Sequence, residues 1–185
     1  MIIRKRNYGI NVHLPDLRVP QVETLNLLGI TFNSKCTWSD HVSKIVSSAS
    51  RRMYAIRVIK PYIGVKDLKL LYKTTFRSSF DYCYPLFVGL SATDCTRLER
   101  IQRRFHRLIC GEHCENDCFE TLTVRRQRLS LNFFQQVLTK DHILSDLLPT
   151  QSSSGRFLIP EVRTLRPSNS FVICACKLHN SYFHR

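Results

Sequence analysis

From Trp38 onward the apolar residues of this chain recur every three or four positions, and no other feature of the sequence restricts the fold as much. That spacing places apolar side chains on one face of an α-helix, and such a face must be buried against other elements. The pattern predicts four helices, over about residues 39–60, 65–79, 94–111 and 121–138. Each is bounded by capping residues, glycine or proline. The expected fold class is therefore mainly α.

The two ends of the chain depart from this period. Residues 1–36 contain short β-leaning runs separated by turn residues, which is typical of a small hairpin or sheet. After Pro149, residues 151–155 have the composition of a flexible linker, and isolated arginines and prolines beyond them predict an irregular basic tail. We expect four segments: a β element over 1–36, a helical region over 37–111, a helical extension over 112–149, and a linker with a basic tail over 150–185.

Composition and charge narrow the class of protein. With 43% hydrophobic residues in 185, the chain can bury a core without a metal or a disulfide, so disordered and collagen-like classes are excluded. No apolar run approaches the roughly 20 residues of a membrane span, and no apolar segment follows the first charges, so we expect an intracellular, nuclear or cytoplasmic protein. A net charge of +14 favours nucleic acid as the partner.

The third predicted helix carries the strongest functional signal. Its apolar face is formed by Leu98, Ile101, Phe105, Leu108 and Ile109. The opposite face carries five arginines: Arg97, Arg100, Arg103, Arg104 and Arg107. Arginine forms bidentate contacts with phosphates, and neutralising phosphates would relieve the repulsion among these cations. The alternative is the solvated face of an ordinary amphipathic helix.

Two further basic clusters lie on the first and fourth helices. Arg51 and Arg52 stand beside a serine-rich stretch whose small side chains allow close approach of another backbone, either a neighbouring helix or nucleic acid. Arg125, Arg126 and Arg128 open the fourth helix, where positive charge opposes the helix macrodipole. Their position therefore favours an anionic ligand.

The eight cysteines favour reduced thiols in an intracellular chain. Cys110, His113, Cys114 and Cys118 offer the ligand types of zinc within nine residues. Their spacing departs from that of zinc fingers and knuckles, and the three cysteines would share one face of a helix. We therefore predict that the chain needs no zinc to fold, and a zinc-stabilised nucleic-acid module is the alternative.

Catalytic motifs are missing from the sequence. It contains no GxGxxG, GxxxxGK[ST], HExxH or GxSxG pattern. Paired carboxylates are needed to hold two metal ions, whereas Asp81, Asp94 and Asp117 are isolated from one another. The sequence predicts no catalytic centre.

Six phrases follow one another along the chain: LLGITFN at 27–33, WSDHV at 38–42, ASRRM at 49–53, LLYK at 70–73, FDYCYP at 80–85 and LERIQRRF at 98–105. In this order and spacing they resemble the end of a reverse transcriptase of non-long-terminal-repeat retrotransposons. The likeness covers about residues 10–110. Order and spacing, rather than any single phrase, carry it.

The resemblance implies that Leu28 and Gly29 belong to the primer-grip hairpin at the end of the palm, and that the helices after it form a thumb. A thumb holds the template–primer duplex by its backbone. The palm aspartates that bind Mg²⁺ lie upstream of this hairpin in the family and are missing here. We therefore expect a fragment of an RNA-directed DNA polymerase from a transposable element, inactive alone, that binds RNA, DNA or their hybrid.

In a full-length protein of that family, the palm would be the intramolecular partner of this region. The residues by themselves leave a different class of function open, an independent helical adaptor whose basic faces bind acidic proteins. Both expectations place the partner on the arginine-rich faces, and neither involves a membrane.

Overall fold

A computed structural model of the chain describes residues 13–14, 17–18, 22–111, 119–139, 142–161 and 168–183. Within these ranges the fold is mainly helical, as the apolar period predicts, and small antiparallel hairpins come first. The strands are β1 (His13–Leu14), β2 (Leu17–Arg18), β3 (Thr24–Leu27) and β4 (Ile30–Asn33). The helices are α1 (Ser39–Ile59), α2 (Val65–Leu71), α3 (Ser78–Asp81), α4 (Ala92–Cys110), α5 (Leu122–Val137) and α6 (Phe171–Phe183).

The β3–β4 hairpin turns at Leu28 and Gly29. Both residues have positive φ angles, 49° and 80°, which is the pattern of a two-residue turn whose twist matches the strands. Glycine adopts this conformation freely, whereas leucine adopts it with backbone strain. The hairpin packs on α1 through Ile30, which is buried.

The predicted second helix is present. It contains a short π-helical segment, here called the π-turn, that its sequence did not predict. The turn spans Tyr72–Arg77 and joins α2 to α3 without a break. A π-turn displaces backbone carbonyls from the regular hydrogen-bond pattern. Arg52 of α1 reaches across and donates to the carbonyl oxygen of Thr75, at 2.8 Å, and to Oγ of Ser79, at 3.0 Å. The guanidinium thereby fixes α1 against the turn.

The main core lies between α1, the α2–α3 segment and α4. The buried face of α4 is the predicted one, with Leu98, Ile101, Phe105 and Ile109 buried and Leu108 packed at the edge. At the centre of the core the ring of Phe105 lies 5.4 Å from that of Tyr72 and 4.3 Å from that of Phe76. These contacts hold the opposite face of α4 towards solvent.

A second, smaller core joins α5 to the C-terminal segment. Phe134, Phe157, Ala175 and Cys176 are buried together there. The prediction of an irregular tail is wrong for Phe171–Phe183, which forms α6. Its apolar residues are contiguous, so they lack a helical period, and contact with α5 stabilises the helix instead.

Residues 151–155, which we expected to form a flexible linker, adopt a hydrogen-bonded turn in the structure. Gln151 pairs with Phe157 in an antiparallel bridge, and the N–H of Ser152 donates to the carbonyl of Arg156 at 2.8 Å. Burial of Phe157 anchors this turn against α5 and α6. None of the helices in the described ranges is both long and apolar enough to cross a membrane.

Candidate nucleic-acid interface

The five arginines predicted to share one face of α4 line a groove of about 410 Å³ between α4 and α1. We call it the arginine groove; it is lined by Val46, Ile101 and the side chains of Arg97, Arg100, Arg103, Arg104 and Arg107. Because the opposite face of α4 is buried in the core, the arginines are held on a rigid element. The predicted clustering is confirmed.

Arg97 differs from the other four because it forms an ion pair with another described residue. Its guanidinium lies 3.2 Å from the carboxylate of Asp94 and donates to Oγ of Ser43 at 2.8 Å. The buried Asp94 carboxylate also accepts hydrogen bonds from Ser39 and Ser91, at 2.8 and 2.9 Å. Arg97 therefore joins α4 to α1, and its charge is partly neutralised. The cap of α4 is Ser91, three residues before the predicted Asp94.

Arg100, Arg104 and Arg107 are exposed, and none of them forms an ion pair with another described residue. The acid nearest in sequence, Glu99, is turned away: its carboxylate accepts hydrogen bonds from the N–H and the hydroxyl of Thr123, at 2.8 and 3.0 Å. The charges of Arg100, Arg104 and Arg107 are therefore uncompensated by the described part of the chain. Such a groove attracts a polyanion.

Arg125 and Arg128, at the start of α5, form ion pairs with carboxylates of the protein itself. Arg125 lies 2.8 Å from the carboxylate of Asp81, and Arg128 and Arg77 lie 2.8 and 3.3 Å from that of Glu120. The hydrogen bond from Arg128 lowers the pKa of Glu120. These pairs join α5 to the α2–α3 segment. The anionic ligand that we inferred from the sequence is thus supplied by the chain itself.

Arg126, the middle residue of that cluster, is buried. Its guanidinium donates to Sγ of Cys95 at 3.3 Å and lies 3.5 Å from the hydroxyl of Thr123. It therefore links α5 to α4 from inside the protein. Tertiary packing, rather than an external ligand, explains its position near the helix start.

The hairpin residues and Arg52 lie on a different side of α1. The hydroxyl of Tyr82 donates to the carbonyl of Leu28 at 2.7 Å, and Leu28 itself is 81% exposed. Gly29 and Arg52 line one cavity, whereas Arg51 points to solvent. The structure therefore divides the predicted binding residues between the arginine groove and this cavity. Sequence reasoning missed Tyr82, because only the fold brings it to the hairpin.

The described carboxylates do not provide a metal centre. No group of three or more His, Cys, Asp or Glu side chains within the described ranges is placed to hold a metal ion. Asp81 and Asp94 are each bound to an arginine, so they do not fit the Mg²⁺ site of a polymerase. Of the zinc candidates, Cys110 ends α4, whereas His113, Cys114 and Cys118 lie outside the described residues, as does Asp117.

No protein-family model, no curated protein and no solved structure matches this chain. Its function therefore has to be inferred from its own residues. Among these, the arginine groove combines a helix packed on the core with closely spaced cations, three of which (Arg100, Arg104 and Arg107) have no acidic partner among the described residues. The hairpin tip adds an exposed, strained turn on the other side of α1.

Proposed function

We propose that this chain is a thumb-like, nucleic-acid-binding fragment of a retrotransposon reverse transcriptase, and that the arginine groove holds the backbone of a duplex. The observation that carries the proposal is the exposure of Arg100, Arg104 and Arg107 on one helix face without an ion-pair partner among the described residues. The order of the reverse-transcriptase-like phrases supports the family. The fragment binds the template–primer and does not catalyse its extension.

The geometry suits contact with phosphates. Arg100, Arg104 and Arg107 are four and three residues apart, so their positions advance by about 6 and 4.5 Å along the α4 axis. A row of guanidinium groups at that spacing can pair with successive phosphates of one strand, and each contact releases counterions. Phosphates carry no sequence information, so binding is expected to be independent of sequence.

The test is a salt titration of duplex binding by the wild type and by the double variant Arg100→Gln/Arg104→Gln. Glutamine retains helix propensity and removes two charges from the middle of the groove. The slope of log affinity against log salt should shrink by about two units, since each neutralised phosphate contributes about −0.9. Affinity for two unrelated RNA–DNA duplexes should fall by similar factors.

The matched control is Lys60→Gln/Lys66→Gln, which removes two exposed charges outside the groove. It should change the slope much less than the groove variant, and both proteins should melt at the wild-type temperature. If both variants lose the same amount of duplex affinity, the effect depends only on net charge, and this would contradict a defined binding groove. Tighter binding to polyglutamate than to the duplex at equal salt would instead favour the acidic-protein adaptor.

A further inference from the structure

A half-open cavity of about 310 Å³ lies beneath the tip of the β3–β4 hairpin, bordered by the hairpin, α1 and the π-turn with α3. It exists because Ser48 and Ala49, on the α1 wall, are too small to fill the space. On the hairpin side Gly29 lies against the ring of Tyr82, whose hydroxyl binds the neighbouring carbonyl. The cavity is therefore built from three separate elements, and a strained turn covers it.

The cavity combines an apolar floor with positive charge at its rim. Phe76 and Phe80 are buried and form the floor, while Lys44 and Arg52 reach the rim from α1. No carboxylate is among the described residues that line it. The two cations donate to neutral oxygens: Lys44 to the amide of Asn26 at 3.0 Å, and Arg52 to the backbone and hydroxyl groups that fix the π-turn. Their charges therefore lack an anionic partner within the described ranges.

We infer that this cavity binds a small aromatic anion, with its flat apolar body on Phe76 and Phe80 and its carboxylate or sulfonate at Lys44. A pocket of this volume with an apolar floor and few polar groups is typical of a small-molecule site. Burial of a neutral ligand would leave the cations uncompensated, whereas an anion gains a charge-assisted hydrogen bond. The site lies across α1 from the arginine groove, so the inference goes beyond duplex binding.

The π-turn supports a ligand site at this place. It contributes Phe76 to the floor, and π-turns within α-helices occur frequently at functional sites. Arg52 holds the turn at the carbonyl of Thr75, so the cation and the floor are fixed relative to each other. Such a preformed site binds without ordering its own side chains first.

The experiment uses the full chain and the fluorescent probe anilinonaphthalene sulfonate. We expect saturable binding with one probe per chain. Naphthoate should displace the probe, whereas neutral naphthamide, of the same shape, should displace it at least about tenfold less well, as loss of a charge-assisted hydrogen bond implies. Equal displacement by the two compounds would overturn the requirement for an anion.

Two kinds of variant place the probe in this cavity. Ser48→Phe fills it and should abolish binding while the helical circular dichroism persists. Lys44→Gln should weaken binding about three- to tenfold, and Lys44→Arg should retain it, so this pair tests the site even where the filled variant fails to fold. Wild-type probe binding by folded Ser48→Phe, or by Lys44→Gln, would overturn the inference.

The control is the groove variant Arg100→Gln/Arg104→Gln, which should bind the probe like the wild type. Weaker probe binding by this variant would place the anion in the arginine groove and overturn the inference. Duplex affinity is measured separately in the same proteins. If the wild type binds the probe but not the duplex, the proposed function fails and this inference stands. If it binds the duplex but not the probe, this inference fails and the proposed function stands.

Discussion

The backbone N–H of Thr31 donates a hydrogen bond to Nδ1 of His41, with an N···N distance of 3.3 Å. This bond joins the β3–β4 hairpin to the first turn of α1. His41 is buried and stacks on Phe87, with ring centroids 5.1 Å apart. Because Nδ1 accepts a hydrogen bond, it carries no proton. Burial and then the charge of Lys44 lower the pKa of His41 from its ordinary 6.5.

The attachment of the hairpin should therefore weaken in acid. The pKa of His41 is lower in the folded than in the unfolded chain, so its contribution to stability is complete above pH 6.5 and is lost as the pH falls through the folded value. His41→Gln keeps an acceptor and removes the titration. Melting temperatures of both proteins from about pH 7.5 to 5 should fall more steeply for the wild type. If the melting temperatures of the two proteins fall in parallel with pH, the assigned role of His41 is contradicted.

Tyr72 and Gln102 form a polar contact inside the main core. The Tyr72 hydroxyl donates to Oε1 of Gln102 at 3.1 Å, and burial raises the pKa of Tyr72. Tyr72→Phe leaves this acceptor buried without its donor, so the free energy of unfolding should drop by about 1–3 kcal/mol. Urea denaturation measures the drop. Tyr62→Phe, at an 86% exposed position, is the control and should have no effect.

Leu28 lies in a left-handed conformation at the hairpin tip with little side-chain contact. Asparagine adopts this conformation more readily and is favoured at this turn position before glycine. Leu28→Asn should therefore raise the free energy of unfolding by about 0.5–1 kcal/mol, as measured by urea denaturation. A loss of stability would show that the leucine side chain makes contacts that outweigh the strain.

Gly89 allows the segment after Phe87 to approach the start of α6. A Cβ at this position would lie 2.8 Å from the Cα of Asn169 and closer still to its carbonyl oxygen. Gly89→Ala should therefore separate the two segments and lower the free energy of unfolding by about 1–3 kcal/mol. Hydrogen exchange should show reduced protection in α6. Gly64→Ala, where the nearest atom is 3.5 Å away, is the matched control, and similar effects of both changes would contradict the contact.

The sequence alone determined the features that depend on local periodicity. The positions of α1, α4 and α5 follow from apolar residues three and four apart, and so does the arginine face of α4 opposite Phe105. Each of these features is set within a few helical turns. A pattern of side chains on one helix is sufficient to predict them.

Tertiary structure decided which arginines form ion pairs. It also decided where a helix forms in a segment whose sequence has no helical period. Arg125 resembles Arg100 and Arg104 in sequence, yet it meets Asp81 at the end of α3, 44 residues earlier in the chain. Phe171–Phe183 becomes helical through its contact with α5, and the cavity under Gly29 requires three elements at once. Such contacts join residues that are distant in sequence, so their energies appear only when the chain is packed.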